Sequence, residues 1–372
     1  MKIGIFLPNA TFDLPGTPEV GGIEVYAMDL GEALLALGHD VTLFGGEPKE
    51  GKVHRKVMMR LRLAPYWETK DIPKLGTRFR KLVQRLHFAY QSRHSIKQEH
   101  CDIMFVFKPY DFISARFWKM GNPHLCVVMN YQGKDFFPTD NFWKKSIDWE
   151  YACSDDNAAL VVNRYGNRPD VLTNGVDTNF FSLRKDKVFD KHVVSVGRLV
   201  GWKGLHSMAE ALLQLPGWKW TIAGEGPEKE KLFDFAKKNN IQHRISFRGA
   251  LDTIQLREHF ASADIMVQPS IDFDACPTSV LQALSSGVPI ILSDKVGLAK
   301  DILAHHSGFV FESSNVKEMV HRFMSFEQIS LDEKNKIALS ARLLAEKNYS
   351  LGNMARTISD RLEILLKKKG PL

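Results

Sequence analysis

The sequence predicts an α/β protein of two doubly wound parallel-sheet domains joined near residue 175. Three observations predict it. Apolar strand patterns alternate with helix patterns along the whole chain. The alternation breaks once, at "NGVDTNFFSLRKDKVFDK" (residues 174–191), which is turn-rich, charged and without either period. Finally, 372 residues with 44% apolar content exceed one ordinary core.

"KIGIF" reads as a buried strand, followed by a Gly-rich turn. "IEVYAMDLGEALLAL" then repeats apolar residues at Ile23, Tyr26, Ala27, Leu30, Ala33, Leu34 and Leu37, which is one helix face. Gly38 supplies the stop and "DVTLFG" the next strand, so the chain opens with a βαβ unit and a parallel sheet. A long basic helix is expected at "FRKLVQRLHFAYQSRH", with strands at 102–107, 124–129 and 159–163 ("ALVVN"). After the break the alternation restarts, with strands "HVVSVG", "KWTIAG", "RISFRG", "DIMVQP", "PIILSD" and "GFVFE" separated by helices. From Asn315 the tail reads as helical, and its last helix is long enough to cross back. The expected domains are 1–175, completed by 352–372, and 176–351.

The four cysteines are far apart and form no CxxC pair, so reduced, buried thiols are expected. No signal-like head and no apolar run near 18 residues is present, and a cytoplasmic chain without a membrane span is the expectation. The net charge of +7 is uneven: between Glu47 and His100 stand fourteen Lys or Arg against five acids. A segment such as 49–97 is drawn to an anionic membrane surface or an anionic substrate, or is a solvated helix face. No nucleic-acid signature accompanies it.

In open parallel sheets the ligand sits at the carboxyl ends of the strands. There, "VGRLVGWKG" places Arg198 and Lys203 across one turn, a fork and a point charge suited to a diphosphate. "AGEGPEKEK" resembles a dinucleotide fingerprint, but Lys229 stands where a third Gly belongs. Gly224 and Gly226 still permit close backbone approach, and Gly249 can border a planar base. "PSIDFDACPTSVLQALSSGVP" (269–289) leads into a helix at Pro277. The backbone N–H groups of Thr278, Ser279 and Val280 are expected to face an anion, with Asp274 and Gln282 as partners for hydroxyls. "DFD" (Asp272–Asp274) is literally a metal-site motif, but it lies deep in the second domain and no metal is expected.

Together these residues resemble the retaining glycosyltransferases of the GT-B fold, family 4. The likeness rests on "GGIEVYAMDLGEALLALGHDVTLF", "NGVDTNFF", "VGRLVGWKG", "AGEGPEKEKL", "ISFRGAL", "ADIMVQPS" and "SSGVPIILSD", in the family order. The resemblance implies two Rossmann-like domains facing a cleft, with a UDP- or GDP-linked sugar held by the second domain. It implies Arg198 and Lys203 on the diphosphate, and Gly21 and Gly22 in a loop near the donor phosphates. Asn130 and Lys108 would lie on the acceptor side. The family carries two Glu eight residues apart, and Asp274 and Gln282 fall on those positions; Asn130 falls where many members carry a His. The implied mechanism is front-face and retaining: the leaving diphosphate takes the acceptor proton, with no metal and no cofactor. The expected acceptor is a glycan or a lipid-linked glycan in cell-surface polysaccharide or lipopolysaccharide assembly. A soluble small-acceptor transferase and a degenerate nucleotide-sugar-binding module are the alternatives.

Overall fold

The computed structural model describes residues 1–9, 21–47, 57–67, 72, 76–183 and 188–369. These divide into two compact units. Residues 1–9, 23–173 and 352–369 form the first, and residues 174–351 with Gly21 and Gly22 the second.

The first unit is a seven-stranded parallel sheet. Its strands are β1 (Lys2–Leu7), β2 (Asp40–Gly46), β3 (Arg60–Ala64), β4 (Ile103–Val106), β5 (Cys126–Tyr131), β6 (Trp149–Ala152) and β7 (Asp170–Val171), in the order β3-β2-β1-β4-β5-β6-β7. Helices α1 (Gly22–Ala36), α2 (Thr77–Gln91), α3 (Arg93–Glu99), α4 (Phe112–Gly121), α5 (Asp140–Trp143) and α6 (Asp155–Tyr165) connect them. Ile3, Ile5, Phe6, Leu43, Met104 and Val128 are fully buried, the continuous apolar content of strands covered on both faces. The order reverses between β1 and β4, so a crevice opens at the carboxyl ends of those strands.

The second unit repeats the architecture with six parallel strands: β8 (His192–Val196), β9 (Lys219–Ala223), β10 (Ile245–Gly249), β11 (Ile265–Gln268), β12 (Ile290–Ser293) and β13 (Gly308–Phe311). They are ordered β10-β9-β8-β11-β12-β13, with the switch between β8 and β11. Its helices are α7 (Leu205–Leu212), α8 (Glu228–Lys238), α9 (Thr253–Ser262), α10 (Thr278–Ser285), α11 (Ala299–Ala304), α12 (Val316–Gln328) and α13 (Leu331–Asn348). The last helix, α14 (Leu351–Lys369), belongs to the first unit from residue 352 onward. There Ser359 meets His39 at 2.8 Å and Lys369 donates to the Leu125 carbonyl at 2.9 Å. No helix among the described residues is long and apolar enough to cross a membrane.

One expectation changes, and two regions gain detail. Residues 159–163 are not a strand; they lie inside α6. The Ser154 hydroxyl accepts from the Asn157 amide at 3.2 Å, Asp155 and Asp156 occupy the first turn, and Gly166 closes the helix at φ +82°. The strand is β6, just before that cap. Second, the break at 174–191 is anchored where it is described. The Val176 amide donates to the Tyr349 carbonyl at 2.8 Å, Phe181 is buried, and Ser285 Oγ donates to the Phe181 carbonyl at 2.6 Å.

Third, the basic segment is not one uniform charged surface. Arg85 is buried and grips the buried Asp111 with two hydrogen bonds of 2.5 and 2.6 Å. Arg60 and Arg62 pair with Glu99 at 2.7 and 2.5 Å, and Lys81 pairs with Asp135 at 3.2 Å. Lys49, Lys52, Arg55, Lys56, Lys70 and Lys74 lie outside the described residues.

All four cysteines are buried and unpaired, and burial pushes the Cys101 and Cys276 thiols up to about 12. Burial also holds His259 neutral, with its pKa lowered to about 4. As pH falls below about 6.5 the unfolded chain takes up a proton that the folded chain refuses. Stability is therefore expected to drop by about 3 kcal/mol between pH 6.5 and 4 through this group and to level off below. Urea unfolding across that range checks this: His259→Gln should remove that part of the slope, and an unchanged slope would refute the assignment.

Candidate functional site

At the second unit's switch point two loops meet, one after β8 and one after β11. The first runs from Gly197 to Gly204. Its Leu199 amide donates to the Glu225 carbonyl at 2.9 Å, and its Leu199 carbonyl accepts from the Glu228 amide at 3.0 Å. Any Cβ on Gly226 would stand 2.3 Å from that carbonyl, so only glycine lets the 224–226 turn close on the loop. Arg198 is thereby set between a fixed strand and a fixed neighbour. Its guanidinium makes no ion pair or hydrogen bond among the described residues. With Lys203, Ser195, Gly197, Ile222 and Gln268 it lines a small hollow.

Lys203 follows in a short 3-10 turn, Gly201–Lys203. Its Nζ lies 2.7 Å from Asp274 Oδ2 and 4.6 Å from the Trp202 ring centre. The loops approach most closely at Gly204, which has φ +69° and where a Cβ would fall 1.9 Å from the Pro269 carbonyl oxygen. The Ile271 amide donates to the Trp202 carbonyl at 2.9 Å and ties the same edges.

Asp274 is 8% exposed. Its Oδ2 also accepts from Gln268 Nε2 and Ser270 Oγ, both at 2.9 Å, and it makes no turn cap with its side chain. Oδ1 has no partner among the described residues and is the free acceptor. The Asp274 amide donates to the Lys295 carbonyl at 3.0 Å and its carbonyl accepts from the Gly297 amide at 2.9 Å, so the backbone is fixed too. Asp272, the other carboxylate of the "DFD" stretch, is exposed and accepts from the Phe273 amide at 2.7 Å. Among the described residues no three His, Cys, Asp or Glu gather as a metal-ligand set.

Pro277 is the N-cap of α10 and supplies no side-chain bond. Contrary to the expectation from sequence, the Val280 amide is not free for an anion, because it donates to the Pro277 carbonyl at 3.0 Å. Thr278 and Ser279 amides are left for an anion at the positive end of this helix. Gln282 is buried, its side chain has no partner among the described residues, and its backbone carbonyl accepts from Ser286. The Gly224 amide donates to the Gly249 carbonyl at 2.7 Å, and Gly224, Gly226 and Gly249 all have positive φ. Donor-site candidates from four strand ends are thus gathered at one edge of one sheet.

In the first unit, Asn130 is the last residue but one of β5, fully buried. Its Oδ1 accepts from Gln132 while its Nδ2 has no partner among the described residues. Lys108, after β4, meets Asp135 Oδ2 at 2.8 Å, and Lys81 meets Oδ1 of the same carboxylate. Burial alone would raise the Asp135 pKa, but the two ammonium groups outweigh it and hold the carboxyl far below its ordinary value. Gly21 and Gly22, which belong to the second unit, stand just before and at the first residue of α1. Sequence reasoning missed Gln268, Ser270, Lys81 and Asp135. Gln268 and Ser270 flank Pro269 at the end of β11, where the strand-end rule would have found them.

Two parallel-sheet Rossmann-like domains with a cation-rich switch point define the GT-B class. The chain belongs to the GT-B glycosyltransferases of family 4: residues 20–180 match the family model described as Glycosyltransferase Family 4 and residues 176–343 the one described as Glycosyl transferases group 1. An uncharacterized glycosyltransferase of Haemophilus influenzae is 24% identical over 343 residues, 86% of this chain and 88% of that protein. The putative colanic acid biosynthesis glycosyltransferase WcaL of Escherichia coli K12 is 24% identical over 202 residues, 51% of this chain, so the match spans half, 50%, of that relative's length. Among solved structures, sucrose-phosphate synthase from Thermosynechococcus elongatus superposes with a TM-score of 0.85 at 15% identity, covering 99% of this chain and 100% of that one. Anabaena HepE in complex with UDP-glucose gives 0.75 at 15% identity, covering 98% and 100%. At that identity the likeness is one of fold.

Gly204→Ala is expected to cost at least about 2 kcal/mol, from the collision with Pro269 and the left-handed backbone together. Denaturant unfolding of the variant measures it, and a loss below about 0.5 kcal/mol would show that the loops can part freely.

Proposed function

We propose that this chain transfers a sugar, with retention and without a metal, from a UDP- or GDP-linked sugar to a glycan or lipid-linked glycan acceptor of the cell surface. One observation carries the reading: at the second unit's switch point Arg198 stands without a partner among the described residues beside Lys203, whose own partner is Asp274. Transfer leaves a nucleoside diphosphate, and its charge grows as the glycosidic bond breaks. Arg198 and Lys203 would stabilise that charge, together with the Thr278 and Ser279 amides. Asp274 Oδ1 and Gln282 would accept hydroxyls of the sugar and ribose.

No protein base is needed when the departing phosphate oxygen takes the acceptor proton. Asn130, which cannot serve as a base, would orient the acceptor instead. Lys108 would act beside it through Asp135. The polysaccharide setting is supported by the relative named for colanic acid biosynthesis, and a nucleotide-sugar donor by the neighbour bound to UDP-glucose.

The test is a panel of UDP-, GDP-, ADP- and dTDP-sugars with and without EDTA. One donor is expected to be bound and slowly hydrolysed, insensitive to EDTA. In Lys203→Ala its turnover should fall about 10²- to 10³-fold. The anomeric configuration of the product, read by NMR, tests retention. A donor bound but never turned over would favour a degenerate binding module, and no donor recognised by wild type would reject the reading.

A further inference from the structure

The first unit has a second pole. Lys2, Asp102 and Leu125 stand at the amino-terminal ends of β1, β4 and β5, the edge opposite the one that carries Asn130 and Lys108. There a cavity of about 1540 Å³ opens between α2–α3 and α4. That exceeds the 300–1,000 Å³ of ordinary small-ligand pockets. Its depth is apolar: Met104, Ala89, Ile96 and Leu125 are buried along it. Ser114 is the polar exception, and its buried hydroxyl finds no partner among the described residues. Nothing inside offers the convergent donors and acceptors that a sugar or a nucleotide needs.

The mouth has the opposite character. Lys2, Lys97 and Lys367 line it without a carboxylate partner among the described residues. Arg93 lies 3.8 Å from the Tyr90 ring centre, with its guanidinium on the Tyr90 carbonyl at 2.6 Å. The two carboxylates of the lining are already engaged: Asp40 by Arg60 at 3.3 Å and Asp102 by the Lys2 amide at 2.7 Å. Tyr90 and Phe117, in the same lining, leave 61% and 60% of their surface in water. Deep apolar volume, exposed aromatic rings and surplus positive charge are what an amphiphile with a long chain and an anionic head requires.

We propose that this cavity takes an acyl chain of an anionic membrane lipid and so seats the first unit on a bilayer. A membrane lipid is favoured over a free fatty acid because four cations and two exposed aromatic rings surround one mouth. A single carboxylate needs one cation, whereas a charged leaflet engages all four while the rings enter the headgroup layer. The inference is independent of the donor reading, since neither the cavity nor its rim contains a residue assigned to transfer.

The experiment uses the whole protein with phosphatidylglycerol vesicles, phosphatidylcholine vesicles and free palmitate as probes. Phosphatidylglycerol vesicles are expected to carry the protein in flotation and phosphatidylcholine vesicles are not. Phosphatidylglycerol with a spin-labelled acyl chain should quench tryptophan fluorescence, and Trp118→Phe, which removes the indole lining the cavity, should abolish most of that quenching. Ser114→Phe fills the volume without changing charge and breaks no hydrogen bond. It should weaken vesicle affinity about tenfold, the effect of keeping roughly two chain methylenes out. Should Ser114→Phe fail to fold, Ala89→Leu makes the same test. Vesicle binding and quenching unchanged in the filled and Trp118→Phe variants would mean adsorption by charge alone and would overturn the proposal. So would binding of palmitate without binding of vesicles.

Discussion

The contact on which the second unit's site depends is the Lys203–Asp274 ion pair. It joins the loop after β8 to the loop after β11 across 71 residues of sequence, at the point where the strand order reverses. Two charges this buried are costly to desolvate, and their attraction offsets that cost only when the remaining bonding capacity is filled. Gln268 and Ser270 fill it on one oxygen. The pair also requires the backbones to come close, which explains glycine at 204: a Cβ there would strike Pro269 and separate the two charges. Because those loops are closed, Arg198, one turn earlier, can be left without a partner and still have a fixed position.

The first unit uses the same device with different results. At its carboxyl edge one carboxylate, Asp135, is shared by two lysines, which leaves one positive charge in excess beside Asn130. Deeper, Arg85 and Asp111 neutralise each other completely by a two-point contact inside the core. Helices α2 and α3 therefore contain cations of two kinds. Some, such as Arg85 in α2, hold the fold together, and others, such as Arg93 and Lys97 in α3, have no carboxylate to answer them among the described residues.

Much of the fold was legible because parallel strands covered on both faces are short, nearly unbroken apolar runs. "DIMFVF", "HLCVVM", "DIMVQP" and "PIILSD" announce themselves. The strands that escaped are those where that rule fails. In β3, "RLRLA" alternates because it is an edge strand whose arginines pair with Glu99 and Asp40, and it is hidden in a run of basic residues. "ALVVN" misled in the other direction, since its β-branched residues read as strand while the Ser154 cap and Gly166 stop, a few residues outside, decide for helix. In the site, position along the chain placed Arg198, Lys203 and Asp274 at strand ends. What it could not reveal was which of them face each other: partners such as Lys203 and Asp274, or Arg85 and Asp111, meet only through the fold. The Val280 amide shows the same limit at smaller scale, because whether a first-turn N–H is free depends on the geometry of Pro277.

This sorting of charges offers a physical criterion for reading the rest of the surface. A lysine or arginine whose carboxylate is supplied by its own chain has its field largely cancelled at a distance of one Debye length and contributes to shape. One without such a partner keeps its field and remains available to an outside anion. By that measure the net charge of +7 overstates nothing about the fold but says little about function until the pairs are removed. Among the described cations without a carboxylate partner, two groups border a hollow: Arg198 beside a small polar one, and Lys2, Lys97 and Lys367 around an apolar mouth. A diphosphate suits the first because it is compact and needs hydrogen bonds as well as charge. The second offers dispersed charge around a dry interior, which selects for an anion attached to something that water rejects.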